Sequence, residues 1–182
     1  MTRAHTGGRP ALVVEGRFLP RRATDAEDRR RLAHALGYLQ TSRTAEAYPL
    51  FTAGDDAIGR AEARGLLLAR RDIAVLAHRH ILSPDPRLRL TGREALVGLV
   101  RTIYATWATE RGWGALVYTG AIHANTGVLH AHVLVGAQTG TGRPLHLWPD
   151  DYAALTRIGD ETTRAAAENS KERRRALRAL VG

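Results

Sequence analysis

The chain has no cysteine among its 182 residues. Disulfide frameworks, thiolate nucleophiles and cysteine-ligated zinc are therefore excluded, and any bound metal must rest on histidine or carboxylate. Lysine is almost missing as well: Lys171 stands alone, and the other 26 basic residues are arginine. No apolar run approaches the roughly 20 residues that span a bilayer, and residues 1–10 are polar and glycine-rich, unlike a signal peptide. A cytoplasmic protein without membrane association is the expectation. Acids are few, 18 against 27 Lys plus Arg, for a formal charge of +9 and a pI near 11.0. That balance favours a polyanionic partner by long-range attraction. With 44% apolar and 25% charged residues, the chain is expected to form one domain over 1–182, with a core at about 11–155 and a C-terminal surface helix at 160–182.

Along the chain, strand and helix signals alternate. Ala11 to Glu15 reads as a strand bounded by Pro10 and Gly16. Thr24 and Glu27 form a capping box, and Leu32, Ala35, Leu36 and Leu39 make one helical stripe up to Gln40, with Tyr38 in the last turn. Residues 41–53 read as a loop, and Asp55 or Asp56 is the expected cap of a short helix ending at 66–69. A central strand is expected over 73–82, ended by Ser83-Pro84-Asp85-Pro86. A second capping box, Thr91 and Glu94, opens a helix whose apolar stripe runs from Leu96 to Trp107, and Gly112 stops it. Residues 115–124 and 129–137 form an antiparallel hairpin, a short strand is expected at 145–148, and Pro149-Asp150-Asp151 starts helix. The pattern predicts an α+β fold, a central antiparallel sheet with helices packed on its faces.

The chemistry-bearing residues lie on the hairpin. Alternation puts His130 and His132 on one face, about 7 Å apart along the strand, and folding back across 125–128 brings His123 beside them. A single strand histidine is most often a hydrogen-bonded or solvent-facing residue. Three at this spacing can share one ion and leave coordination positions open, as catalytic metal sites do. His78 and His80 repeat the spacing on another strand, with Arg79 between them, and read as a structural or phosphate-facing pair.

The segment Ala121 to Gly136 resembles the metal-binding motif of the HUH endonucleases, specifically the plasmid mobilisation relaxases of the MobA-like and VirD2-like groups. Further segments match in order. His34-Ala-Leu-Gly-Tyr38-Leu-Gln-Thr-Ser-Arg43 resembles the helix that delivers a tyrosine, and Arg79-His80-Ile-Leu-Ser83-Pro84 resembles the strand ending in Ser-Pro. The resemblance implies a relaxase-like palm in which His123, His130 and His132 hold a divalent metal, Mn2+ or Mg2+, other transition metals being possible. It implies a site-specific nickase of single-stranded DNA at an origin of transfer or replication, aided by accessory DNA-processing proteins. Tyr38 is then the nucleophile, with Tyr48 as its rival, leaving a 5′-phosphotyrosine and a free 3′-hydroxyl. DNA contacts are expected from Arg43, Arg79, His80, Asn125, Arg70 and Arg71, with Trp113 and Trp148 available to stack unpaired bases. Many relatives carry a carboxylate two residues after the first histidine; here that position is Asn125. General-base candidates are Asp85, Asp72 and Glu15.

A phenol is protonated at neutral pH and needs activation to attack phosphorus. An all-imidazole set favours manganese or later transition metals over magnesium, which prefers oxygen ligands. The other readings are an HUH rolling-circle replication initiator or transposase, a non-catalytic nucleic-acid binder on the same fold, and a zinc hydrolase of small molecules.

Overall fold

A computed structural model describes residues 10–22, 24–41, 48–68, 73–90, 92–124 and 128–181. The chain runs β1 (Leu12–Pro20), α1 (Asp25–Gln40), α2 (Arg60–Leu67), β2 (Val75–Pro84), a 3-10 turn (Pro86–Leu88), α3 (Arg93–Glu110), β3 (Leu116–His123), β4 (His130–Thr139) and α4 (Pro149–Val181). The four strands form an antiparallel sheet in the order β1-β2-β4-β3. The α+β architecture with helices on both faces is the one the sequence pattern predicts.

Two apolar cores lie on opposite faces, because strand side chains alternate. On one face Leu12, Leu82, Val133, Val135 and Tyr118 meet α3 and α4 through Val100, Ile103, Tyr104, Trp107, Leu155 and Ile158. On the other, Ala77, Ala121 and Leu134 meet α1 and α2 through Leu32, Leu36, Leu39, Ala63 and Leu67. Register assigns the strand histidines their faces: His78 and His80 share a phase with Leu82, whereas His132 pairs with Ala121 and Ile81.

Helix α1 begins with the first bond of the capping box, the Glu27 amide donating to Thr24 Oγ1 at 3.3 Å, while the Glu27 carboxylate accepts from the Thr24 hydroxyl at 3.0 Å. Beyond α1, Phe51 bridges Gly120 on the edge strand β3, through N–H···O bonds of 2.8 and 2.9 Å in the two directions. Glycine is required there, since a Cβ at position 120 would stand 2.8 Å from the Phe51 ring. This bridge holds the segment from Tyr48 to Thr52 against β3.

Several sequence expectations are corrected. Strand β1 runs to Pro20, well past Glu15, because it pairs with β2 along its whole length. Helix α2 is capped by Gly59 and not by Asp55 or Asp56. Asp55 instead accepts from the Thr52 hydroxyl at 3.0 Å, and Asp56 pairs with Arg101 at 2.9 Å. Residues 145–148 form no strand; a Gln138–Pro144 bridge and the bond from the Leu145 amide to the Ala137 carbonyl tie this segment to β4 instead. The C-terminal segment is one helix of 33 residues. Its first half is anchored by Leu155, Ile158 and Thr163. Thr91 lies outside the described residues, and Gly92 occupies the cap of α3. No described helix is long and apolar enough to cross a membrane.

Candidate functional site

Pairing of β3 with β4 sets His123 directly opposite His130, and His132 follows two residues on along the same face. The three rings converge: centroids lie 5.5 Å apart for His123–His130, 4.3 Å for His123–His132 and 4.9 Å for His130–His132. One ligand nitrogen from each falls within 4.8 Å of the others. His123 and His132 are buried and His130 is half-buried.

Backbone carbonyls orient two of the rings. The last carbonyls of a helix lack intrahelical partners, and the Leu39 carbonyl at the end of α1 accepts from His123 Nε2 at 2.5 Å. The Val128 carbonyl accepts from His130 Nδ1 at 3.0 Å. Each bond fixes a tautomer and frees the other ring nitrogen as a ligand, the arrangement that outer-shell carbonyls impose on metal-binding histidines. His132 Nδ1 is buried with no partner among the described residues. Burial pushes the His132 imidazole down to about 3, with the neighbouring His123, His130 and Arg79 adding to the effect. Burial also lowers His123, partly opposed by its bond to Leu39. Two imidazoles that burial disfavours as cations, one of them with an orphaned nitrogen, together with the third ring of His130 make a nitrogen donor set of the kind a divalent transition metal takes. The residues present therefore fit such an ion.

The same helix end delivers Tyr38. Its ring meets His132 edge-on at 5.6 Å, the Arg79 guanidinium carbon lies 5.5 Å from its centroid, and the side chain is 47% exposed. A cleft of about 450 Å3 opens beside it, lined by Arg30, Arg31, His34, Tyr38 and Arg79. Across β1 and β2, Arg17 and Arg79 are direct cross-strand partners. Like charges so placed repel each other, and an anion above the pair would relieve that repulsion. Tyr48 sits differently: it stacks flat on His123 with centroids 4.5 Å apart, and its hydroxyl accepts from the Ala124 amide at 3.5 Å.

Of the sequence-assigned residues, His123, His130, His132, Tyr38, Tyr48 and Arg79 come together. His80 does not. It is fully buried on the opposite face, bonded through Nδ1 to the Tyr104 hydroxyl at 2.9 Å, so the expected DNA contact has no route to it. Arg43, Asn125, Arg70 and Arg71 lie outside the described residues, as does Asp72. Asp85 is engaged by the Arg87 guanidinium at 2.6 Å. Glu15 shares the face of His132 but is separated from it by Ile81 on β2. Arg30 and Arg31 belong to the run Arg29-Arg30-Arg31, whose charge alone suggests contacts to a phosphate backbone, whereas sequence reading missed a role for His34. Helical spacing was the available signal, since His34 precedes Tyr38 by one turn on the same face.

No protein-family model matches the chain, and no curated protein matches it. Among solved structures it is similar to TrwC, in the structure of TrwC complexed with a 27-mer DNA comprising the recognition hairpin and the cleavage site. The TM-score is 0.54 at 13% identity, covering 88% of this chain and 69% of that one. At that identity the likeness concerns the fold alone.

Proposed function

We propose that the chain is a metal-dependent, site-specific single-strand DNA endonuclease and transesterase of the relaxase type, acting in plasmid or mobile-element DNA transfer. One observation carries the reading: a half-exposed phenol, Tyr38, stands against His132 of a three-imidazole cluster and beside Arg79. The structural likeness to TrwC, which was solved with DNA containing a cleavage site, supports DNA as the substrate.

His123, His130 and His132 would hold the divalent ion, which when bound supplies a Lewis acid toward a non-bridging phosphate oxygen. The chain's own groups do the rest. Arg79 and the arginines of the cleft, Arg30 and Arg31, draw in the phosphate and offset its charge. Tyr38 Oη attacks the scissile phosphorus while its proton passes to His34, one turn earlier on α1. The bond from phosphorus to the 3′ oxygen breaks, and that oxygen leaves as a hydroxyl after taking a proton from water. One phosphodiester is exchanged for another, a 5′-phosphotyrosine, so the step is reversible without external energy. Tyr48, packed flat on His123, supports the ligand ring.

The test is a denaturing gel of 3′-labelled single-stranded oligonucleotides of randomised sequence incubated with the protein and Mn2+. A detergent-resistant adduct is expected with the native chain and with Tyr48→Phe, and none with Tyr38→Phe. Loss in Tyr48→Phe alone would move the nucleophile to Tyr48. No adduct in any form would leave a non-catalytic DNA binder.

A further inference from the structure

The chain has two phenylalanines and three tryptophans. Phe51 and Trp107 are fully buried, and Trp113 is half-buried against Trp107, their rings edge-on at 5.0 Å. The remaining two, Phe18 at 63% exposure and Trp148 at 67%, come from distant parts of the sequence and border the same cavity. That cavity measures about 320 Å3, and its walls include Phe18, His78, His146, Leu147, Trp148 and Tyr152.

Its position follows from register. Phe18 is the cross-strand partner of His78, so both point to the α4 face, away from Tyr38. Tyr152, in the first turn of α4, lies over Gly16, where a Cβ would stand 2.1 Å from its ring. Glycine at 16 thus lets an aromatic plane close one side. Trp148 immediately precedes α4 and is held by its backbone, the amide donating to Asp151 Oδ2 at 2.8 Å, which leaves the indole free. The floor is His78, 3% exposed, whose Nε2 donates to the Leu145 carbonyl at 3.1 Å and whose Nδ1 has no partner among the described residues.

Two exposed aromatic planes around a cavity of small-ligand size, floored by an imidazole, suit a flat heteroaromatic ring. No carboxylate is among the residues that line the cavity, the neighbouring Asp151 is paired with Arg111 at 3.0 Å, and the protein as a whole carries +9, so a phosphate chain meets little repulsion there. β1 is an edge strand, so a DNA strand leaving Tyr38 past Arg17 can turn round that edge to the other face. We infer that the Phe18–Trp148–Tyr152 cavity takes an unpaired nucleobase of the single-stranded DNA, a second grip on the strand on the face opposite the cleavage site. The inference rests on the single-stranded DNA reading of the proposed function.

Fluorescence anisotropy with labelled dT20 and with an abasic 20-mer of equal charge tests it, in EDTA so that no cleavage intervenes. Base stacking on an aromatic side chain sets the expected effect. Trp148→Ala and Phe18→Ala should each weaken dT20 binding about tenfold and leave abasic binding unchanged, with unaltered circular dichroism. Equal losses on both oligonucleotides, or dT20 affinity within about twofold of native, would overturn it. So would a concentration-dependent dimer that Trp148→Ala abolishes, which would make the cavity an interface between copies. Failure of the Tyr38 adduct with the base-dependent loss intact would sink the chemistry and spare the pocket. The converse pattern would sink the pocket alone.

Discussion

Two His-x-His pairs sit two strands' width or less apart on one sheet and do opposite things. On β4, His130 and His132 face α1, meet His123 across the hairpin and open toward Tyr38 and an arginine-lined cleft. On β2, His78 and His80 face α3 and α4, where His80 is enclosed by Tyr104, Trp107 and Tyr152. Each β2 ring spends one nitrogen on an internal partner, Leu145 or Tyr104. Spacing alone therefore does not make a metal site. A third imidazole on the paired strand and an approach from solvent separate the two. The alternation that buries His80 also turns Arg79 the other way, over the Tyr38 ring, so a single segment of β2 serves the core on one face and the cleft on the other.

Substitution should expose that difference most sharply at His132. His132→Ala removes one of the three imidazoles proposed to hold the ion, so Mn2+ affinity by calorimetry should fall by more than the roughly 10–100-fold typical of changes to groups that only orient a ligand, and the DNA adduct should vanish. Its counterpart His80→Ala should keep metal affinity within a few-fold. Its cost belongs to folding instead: a cavity under Trp107 and a lost bond to Tyr104 should destabilise by about 2–5 kcal/mol, read from urea denaturation. If His80→Ala abolished metal binding with the fold intact, the two pairs would not be functionally distinct.

Acid provides a gentler probe. His80 is pushed from an ordinary 6.5 down to about 3, by burial first and then by His78. The unfolded chain thus takes the proton before the folded one does. Stability from this group is complete above about pH 6.5 and is lost as pH falls toward 3. The metal-free protein should show a falling Tm across that interval, with a shallower slope in His80→Phe. His123 and His132 contribute in the same direction, so the slope should not disappear. The smallest expected effect is Thr24→Ala, which removes the α1 cap at the far end of the helix from Tyr38. It should cost about 1 kcal/mol in the same denaturation assay and leave Mn2+ affinity unchanged.

Much of this arrangement was legible in the sequence. The hairpin of β3 and β4, the Thr24 box and the apolar stripes of α1 and α3 are local patterns, and alternation on β4 sufficed to put His130 and His132 on one face. What escaped was set by pairing between distant segments. The length of β1 depends on its ladder with β2, the face of His80 on the helices that cover it, and the place of Tyr48 on the Phe51–Gly120 bridge. Asp55 and Asp56 had the composition of helix caps, but tertiary partners, Thr52 and Arg101, claim them. His34 was readable from its spacing to Tyr38 alone; the cleft that gives the spacing meaning was not.

The most direct test of the site is to find the atom that carries the DNA. Arg43 separates the two candidate tyrosines, so trypsin releases Tyr38 within residues 32–43 and Tyr48 within residues 44–60. After the Mn2+ reaction, nuclease trimming and tandem mass spectrometry should find a 5′-nucleotide on Tyr38 in the first peptide. A nucleotide on Tyr48, or on neither peptide, would contradict the assignment of Tyr38 as the phenol that works beside the three histidines.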